Sequence, residues 1–275
     1  MVPLEGVPEL LRGALLASAP EGDDGAALAL LSGGPGDAAF YEHHLLAEQM
    51  GIPLLTPEDL TVTSSGVYAH GQRVLVIYRR VDETTMFCAS DADGRPLGPA
   101  LGRALSRGQV TVLNALGNGV ADDMQVYAYV PAMITYYVGE KPLLSNVPTY
   151  PCADPHHLNE VLDRLDELAM KPVDDSVGHG MVVGPDASPA ELAGLAARIR
   201  ARPQAWVAQE LVCLSTHPTF AGNRLEPRAV DLRVFVLLGE RAVVAPAALT
   251  RVARQGSMIV NRPRSGGAKD TWILR

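Results

Sequence analysis

Between residues 26 and 55 the chain reads as a β-turn-α-β unit, in which short apolar blocks are separated by glycine-rich breaks. Ala26–Leu31 is an apolar run, and Gly33, Gly34, Pro35 and Gly36 form a turn. Asp37 is placed to cap a helix reaching about Met50, Gly51 stops it, and Ile52–Leu55 resumes as a strand. Val74–Asp82 predicts a strand that is apolar from Val74 to Ile77 and polar at its carboxyl end, where a period of two puts Tyr78, Arg80 and Asp82 on one face. Ligands in open α/β sheets bind beyond the carboxyl ends of strands, so this trio is either a site or a solvated end with an Arg–Asp ion pair. Residues 83–96 read as a loop, whose Asp91, Asp93 and Gly94 lack the bidentate Glu of a calcium loop.

Val110–Asn114 predicts another short strand. A helical pattern then runs through Tyr137, with Val126, Tyr129, Val130, Met133 and Tyr137 spaced as a core face. Residues 146–154, with Pro148 and Pro151, read as a linker, and a helix follows over about 156–167. Beyond it the order is strand, glycine loop, strand, helix, strand. Ser188, Pro189 and Glu191 form a capping box that starts a helix to Arg200, with Leu192, Leu195 and Ile199 on its apolar face. In Val230–Val236 the residues Val230, Leu232, Val234 and Val236 share one face of a strand, and Asp231 and Arg233 share the other.

The composition, 47% hydrophobic and 20% charged over 275 residues, fits a globular chain with a sizeable core. No apolar run nears membrane-spanning length, and acidic Glu5 and Glu9 stand where a secretory leader would be basic, so the first residues read as a short helix. A net charge of −8 argues against nucleic acid and for small-molecule chemistry. Cys88, Cys152 and Cys213 form neither a metal-binding pair nor an even disulfide set, which points to the cytoplasm.

Chemistry concentrates after residue 168. Lys171 ends a strand (Leu168–Pro172), and Gly178 and Gly180 lie in the loop before a second strand, so backbone N–H groups could approach a polyphosphate with a cation beside them. Taken alone this is equally an ordinary hairpin. After the next helix comes Trp206-Val-Ala-Gln209-Glu210-Leu211-Val212, a strand ending in a polar pair. Arg233, the run Leu249-Thr-Arg251-Val-Ala, Val260-Asn261 and Gly266-Gly-Ala-Lys269-Asp-Thr-Trp272 close the chain.

In this order these motifs, with AFYEHHLLAEQMGIPL, VIYRRVD, VLNALGNGV and AYVPAMITYYVGEKPLL upstream, resemble the circularly permuted ATP-grasp family of glutathionylspermidine-synthase-like proteins, over about residues 25–275. The resemblance implies an α/β fold of the α+β ATP-grasp kind. Its parts would be an N-terminal helix (1–19), a Rossmann-like α/β unit (20–123), a lid (124–205) and a C-terminal half of the cleft (206–275). It implies ATP and Mg2+ as cofactors, and carboxylate and amine substrates joined through an acyl-phosphate. Lys171, Gly178, Gly180 and the hinge Gln209, Glu210, Leu211 and Val212 would hold the nucleotide, and Arg233, Arg251, Asn261 and Lys269 would face the transferred phosphate. For Arg233 and Arg251 the alternative is a surface ion pair, Asp231 with Arg233 for instance.

Three departures shape the expectation. Met124 stands where the family carries a lysine, and Asp174 and Asp175 put negative charge in the lid loop. The family's Arg-x-Asp and Glu-x-Asn stretch, the expected source of magnesium ligands, has no counterpart here, so the metal ligands are unassigned. A separate polypeptide supplying that stretch, or a nucleotide- or partner-binding role without catalysis, is the alternative to an active ligase.

Overall fold

A computed structural model describes residues 5–20, 27–173, 180–239, 241–257, 260 and 265–274. The chain divides into two compact units: Met1–Asn118 with Arg233–Leu249 and Asp270–Arg275, and Gly119–Leu232 with Thr250–Lys269.

In the first unit, α1 (Val7–Leu16), β1 (Leu28–Leu31), α2 (Phe40–Met50) and β2 (Leu54–Leu55) are followed by β3 (Leu60–Thr63), β4 (Gly66–Ala69) and β5 (Gln72–Val74). Then come β6 (Val76–Arg79), α3 (Glu83–Cys88), α4 (Leu97–Ser106) and β7 (Thr111–Leu113). Strands β2, β1, β6 and β7 form a parallel sheet in that order, and β3, β4 and β5 a separate antiparallel one. The run Leu-Ala-Leu-Leu is apolar without alternation because both faces of β1 are buried. Leu28 and Leu30 pack with Leu15, Ala47 and Met50, whereas Ala29 and Leu31 pack with Met86, Leu97, Leu101 and the antiparallel sheet.

Two expectations for this unit need correction. The helix after the glycine turn begins at Phe40 without a side-chain cap, and Asp37 instead accepts a hydrogen bond from Ala39 N at 2.8 Å in the preceding turn. Gly51 does end it, in the left-handed conformation that favours glycine. Residues 83–96 are not all loop: Asp82 accepts from Thr85 N at 2.8 Å and so caps α3. Asp82 therefore makes no pair with Arg80; its carboxyl is held below the usual range chiefly by the hydrogen bonds from Thr85.

The second unit contains α5 (Met124–Val138), β8 (Thr149–Pro151), α6 (Pro155–Asp163), β9 (Leu168–Pro172), β10 (Val182–Val183), α7 (Pro189–Ala201) and β11 (Trp206–Glu210). Four long-reaching strands follow: β12 (Thr216–Ala221), β13 (Arg224–Leu238), β14 (Ala242–Ala253) and β15 (Ser265–Lys269), of which β13 and β14 contribute to both units. Strands β10, β9, β11 and β8 form an antiparallel sheet. One face of it, with Leu168, Met170, Trp206 and Ala208, packs on Val161 and Leu165 from α6 and its end and on Leu195 and Ile199 of α7. The Ser188 capping box forms as the sequence predicts, with Ser188 accepting from Glu191 N and donating to the Glu191 carboxylate.

The expected linker instead supplies β8, the edge strand of this sheet. The helix predicted over 156–167 is shorter, because Leu168 already begins β9 and the turn before it closes through Glu167 N to Arg164 O. The expected core face of α5 is overturned. None of its residues is buried, and Tyr136 and Tyr137 are 81% and 78% exposed. Helical spacing reports which residues share a face; this one is only partly covered, with Val126 and Val130 half-buried and Tyr129, Met133 and Tyr137 exposed.

Candidate functional site

Strand register explains how the second unit assembles a polar row. On β11, Gln209 lies opposite Thr149 of β8 and Ala169 of β9, and Lys171 lies opposite Val207. Thr149, Gln209 and Lys171 therefore project from the same face, opposite the one packed on α6 and α7. Gln209 Nε2 donates to Thr149 Oγ1 at 2.8 Å, and Lys171 Nζ donates to Gln209 Oε1. Gln209 is only 6% exposed, so both ends of its amide have partners as burial requires. Lys171 has no carboxylate partner among the described residues, and burial pushes its ammonium below the ordinary lysine value. A half-buried cation with one neutral ligand is chemically ready for an anion, which would supply the missing counter-charge.

Glu210 emerges on the other face. It accepts from Tyr150 Oη at 2.8 Å and from Arg164 Nη2 at 2.9 and 3.1 Å, and Arg164 also binds Glu160 and Glu167. The Tyr150 hydroxyl and Arg164 hold its carboxyl below the usual range. This clamp fixes the end of β11, where the chain turns into Leu211 and Val212, and leaves their backbone groups outside the sheet ladder. Thr149, Tyr150 and Arg164 were not legible as site residues: Thr149 and Tyr150 lie in the segment that reads as a linker, and Arg164 is one charge on an amphipathic helix.

Of the four residues expected to face the transferred phosphate, Arg251 lies on β14 and binds Asp231 of β13 through Nε to Oδ1 at 2.9 Å and through Nη2 to Oδ2. The pairing of Asp231 with Arg233 is thereby overturned. The partner comes from the neighbouring strand because its guanidinium matches the carboxylate fork two bonds at a time. Arg233 instead stands over the Phe235 ring, 5.8 Å from its centre. Lys269 on β15 donates to Pro218 O at 2.8 Å. Gly180 lies just before β10, while Gly178 and Asn261 fall outside the described residues.

Among the described residues no group of three or more His, Cys, Asp or Glu side chains is placed to hold a metal ion. Asp231 gives both oxygens to Arg251. These residues do not by themselves fit a magnesium site.

The carboxyl edge of the parallel sheet gathers a second polar set in the first unit. At the end of β6, Arg79 donates to Asn118 Oδ1 at 2.7 Å and to Asn114 O at 3.3 Å, which ties the ends of β6 and β7 together. Arg80 pairs with Glu42 at 3.4 Å, and its buried Nε has no partner among the described residues. After β1, Ser32 Oγ lies 2.9 Å from His43 Nδ1 and accepts from Gly34 N at 3.2 Å, with both side chains buried. Burial, then the Arg80 cation, holds His43 below its ordinary value, against a smaller upward pull from Asp37 and Glu42.

The folded chain thus binds the His43 proton less tightly than the unfolded chain. As pH falls below about 6.5, the unfolded state takes up a proton first and stability drops, by at most about 1.4 kcal/mol per pH unit for one group. Chemical denaturation at a series of pH values should show this slope in the native chain and a shallower one in His43→Gln. Equal slopes would mean that His43 protonates as readily folded as unfolded.

Among the described residues no helix is long and apolar enough to cross a membrane. A family model described as circularly permuted ATP-grasp type 2 matches residues 1–253. A Frankia alni protein provisionally named glutamate–cysteine ligase 2-3 is 54% identical over 274 residues, which cover 98% of this chain and 32% of that protein. An uncharacterised Synechocystis protein is 43% identical, over 99% of this chain and 58% of its own length. The chain therefore spans about a third of one relative and under two thirds of the other. Among solved structures, a glutathione synthetase-like effector from Globodera pallida matches with a TM-score of 0.53 at 10% identity, over 97% of this chain and 58% of that one. The ATP-grasp ligase PsnB, complexed with a minimal precursor, matches at 0.50 and 14% identity, over 86% of this chain and 75% of that one. At such identities the structural likeness concerns the fold alone.

Proposed function

The chain belongs to the circularly permuted ATP-grasp type 2 family, and we propose that it binds ATP on the Lys171 face of its second unit to join a carboxylate to an amine. The observation that carries this reading is the Thr149–Gln209–Lys171 row, which holds a cation with no carboxylate partner among the described residues, beside the end of β11. In this reading the Lys171 ammonium binds phosphate oxygens. The backbone from Glu210 to Val212 contacts the adenine, and Gly178 and Gly180 lie over the phosphates. Arg233, Arg251, Asn261 and Lys269 serve the transferred group. A substrate carboxylate oxygen attacks the γ-phosphorus as the bond to the departing ADP oxygen breaks. The amine then attacks the acyl carbon, phosphate leaves with the C–O electron pair, and the nitrogen gives up its proton. Positioning and charge neutralisation carry such a reaction, which is why Lys, Arg and backbone groups are its instruments.

A second reading has this chain as a nucleotide-holding subunit that turns over only with another polypeptide, which supplies the metal ligands. Two observations favour it: Asp231 is already engaged by Arg251, and Tyr129, Met133, Tyr136 and Tyr137 of α5 are exposed. The name of the Frankia relative makes glutamate and cysteine the first substrates to try. ADP formation with magnesium, ATP and these amino acids should be absent with this chain alone. It should appear on adding the remaining polypeptide of that relative. Turnover by the chain alone, abolished by Lys171→Met, would reject the second reading and leave the ligase assignment standing; silence in both mixtures would reject the ligase assignment.

A further inference from the structure

A cleft of about 720 Å³ in the first unit, remote in sequence from Lys171, is lined by the end of β3 and Ser64, by Arg95, Pro96, Pro99 and Ala100 around the start of α4, and by Arg103, Arg107 and Gln109 around its end. Pro99, Ala100, Arg103, Ala104 and Arg107 recur at helical spacing, so one face of α4 supplies an apolar floor with two guanidiniums beside it. The volume suits a small organic ligand. Among the described residues no carboxylate lines the cleft. Of its three arginines only Arg95 makes an ion pair among the described residues, with Asp93 at 3.1 Å, and the one other acidic residue of that turn, Asp91, is buried and accepts backbone N–H bonds.

The helix dipole accounts for basic residues at the carboxyl end of α4, where Arg103 and Arg107 stand. It does not account for Arg95, which precedes the helix at the end that disfavours a cation and still faces the same cleft. Nor does overall composition, since the chain carries a net charge of −8. Three positive charges against one carboxylate leave two uncompensated, which matches a dianion better than a monocarboxylate. Guanidinium forks bind phosphate oxygens in pairs.

We propose that this cleft binds a phosphate monoester, its phosphate held by Arg103, Arg107 and Arg95 and its apolar body resting on Pro96, Pro99 and Ala100. None of the residues lining it belongs to the Lys171 face, and the proposal does not rest on the ligase reading.

Calorimetric titration of the whole chain with phenyl phosphate tests it, with benzoate and inorganic phosphate as the comparison probes. Saturable binding of phenyl phosphate is expected, tighter than either comparison probe. Arg103→Gln and Arg107→Gln should each weaken it about tenfold, while Lys171→Met leaves it unchanged. Both arginines are exposed, so the variants should fold, and an unaltered melting temperature checks that they do. Failure to saturate at millimolar phenyl phosphate, affinity for benzoate equal to that for phenyl phosphate, native affinity in both arginine variants, or loss of binding in Lys171→Met would each overturn the proposal.

Discussion

Replacing Lys171 by Met should weaken ATP binding tenfold or more, because a charge-assisted hydrogen bond to phosphate contributes about 1.5–3 kcal/mol. The effect on folding should be small by comparison. Burial disfavours the Lys171 ammonium in the free chain, so its removal relieves a desolvation cost while leaving Gln209 Oε1 without its donor. The same burial sets a pH dependence. Because the folded-state value lies below that of the unfolded chain, the bare protein gains stability as pH rises through the lowered value towards the ordinary 10.5. Nucleotide phosphates act in the opposite sense by favouring the ammonium. ATP binding should therefore take up a proton where free Lys171 is partly neutral, and affinity should fall as pH rises through its lowered value. Titrations of native chain and Lys171→Met at several alkaline pH values read both effects. A pH-independent affinity, unchanged by the substitution, would make Lys171 a structural strand end.

Gly184→Ala is expected to have the largest effect on stability. Gly184 is buried where the turn after β10 meets the chain between α6 and β9. A Cβ there would lie 2.0 Å from Leu165 O and 2.9 Å from Leu168 O, both backbone atoms that cannot swing aside as a side chain does. Separating them means moving the start of β9, the strand that delivers Lys171. A cost of about 3 kcal/mol or more is expected, a fall in melting temperature on the order of 10 °C for a chain of this size. Denaturant unfolding gives the free energy directly. A change within about 0.5 kcal/mol, typical of a neutral surface substitution, would show that the turn yields freely.

Much of the fold was legible because local rules and tertiary context agree. The apolar run of β1 and the apolar start of β6 mark strands whose apolar residues are buried, and the Ser188 capping box marks the start of α7 through hydrogen bonds that lie within four residues. The family resemblance, shared by the match over residues 1–253, came from ordered motifs rather than from any one of them. What failed depended on partners distant in sequence. Periodicity in α5 gave a face but could not say whether anything covers it. Asp231 has two arginines within reach by sequence, and only the pairing of β13 with β14 selects Arg251 over Arg233. Thr149 joins the polar row because β8 pairs with β11, sixty residues away in the chain. The roles carried over for Gly178 and Asn261 fall outside the described residues, and those of Arg233, Arg251 and Lys269 remain proposals.

The central claim, that the Lys171 face is a nucleotide site, is tested most directly by calorimetric titration of the purified chain with ATP in two buffers of different ionisation heat, at a pH where Lys171 is partly neutral. One saturable site is predicted, with an apparent heat that differs between the buffers by the proton taken up at Lys171. A folded chain that shows no saturation at millimolar ATP, or binds it with no proton uptake, would contradict the account.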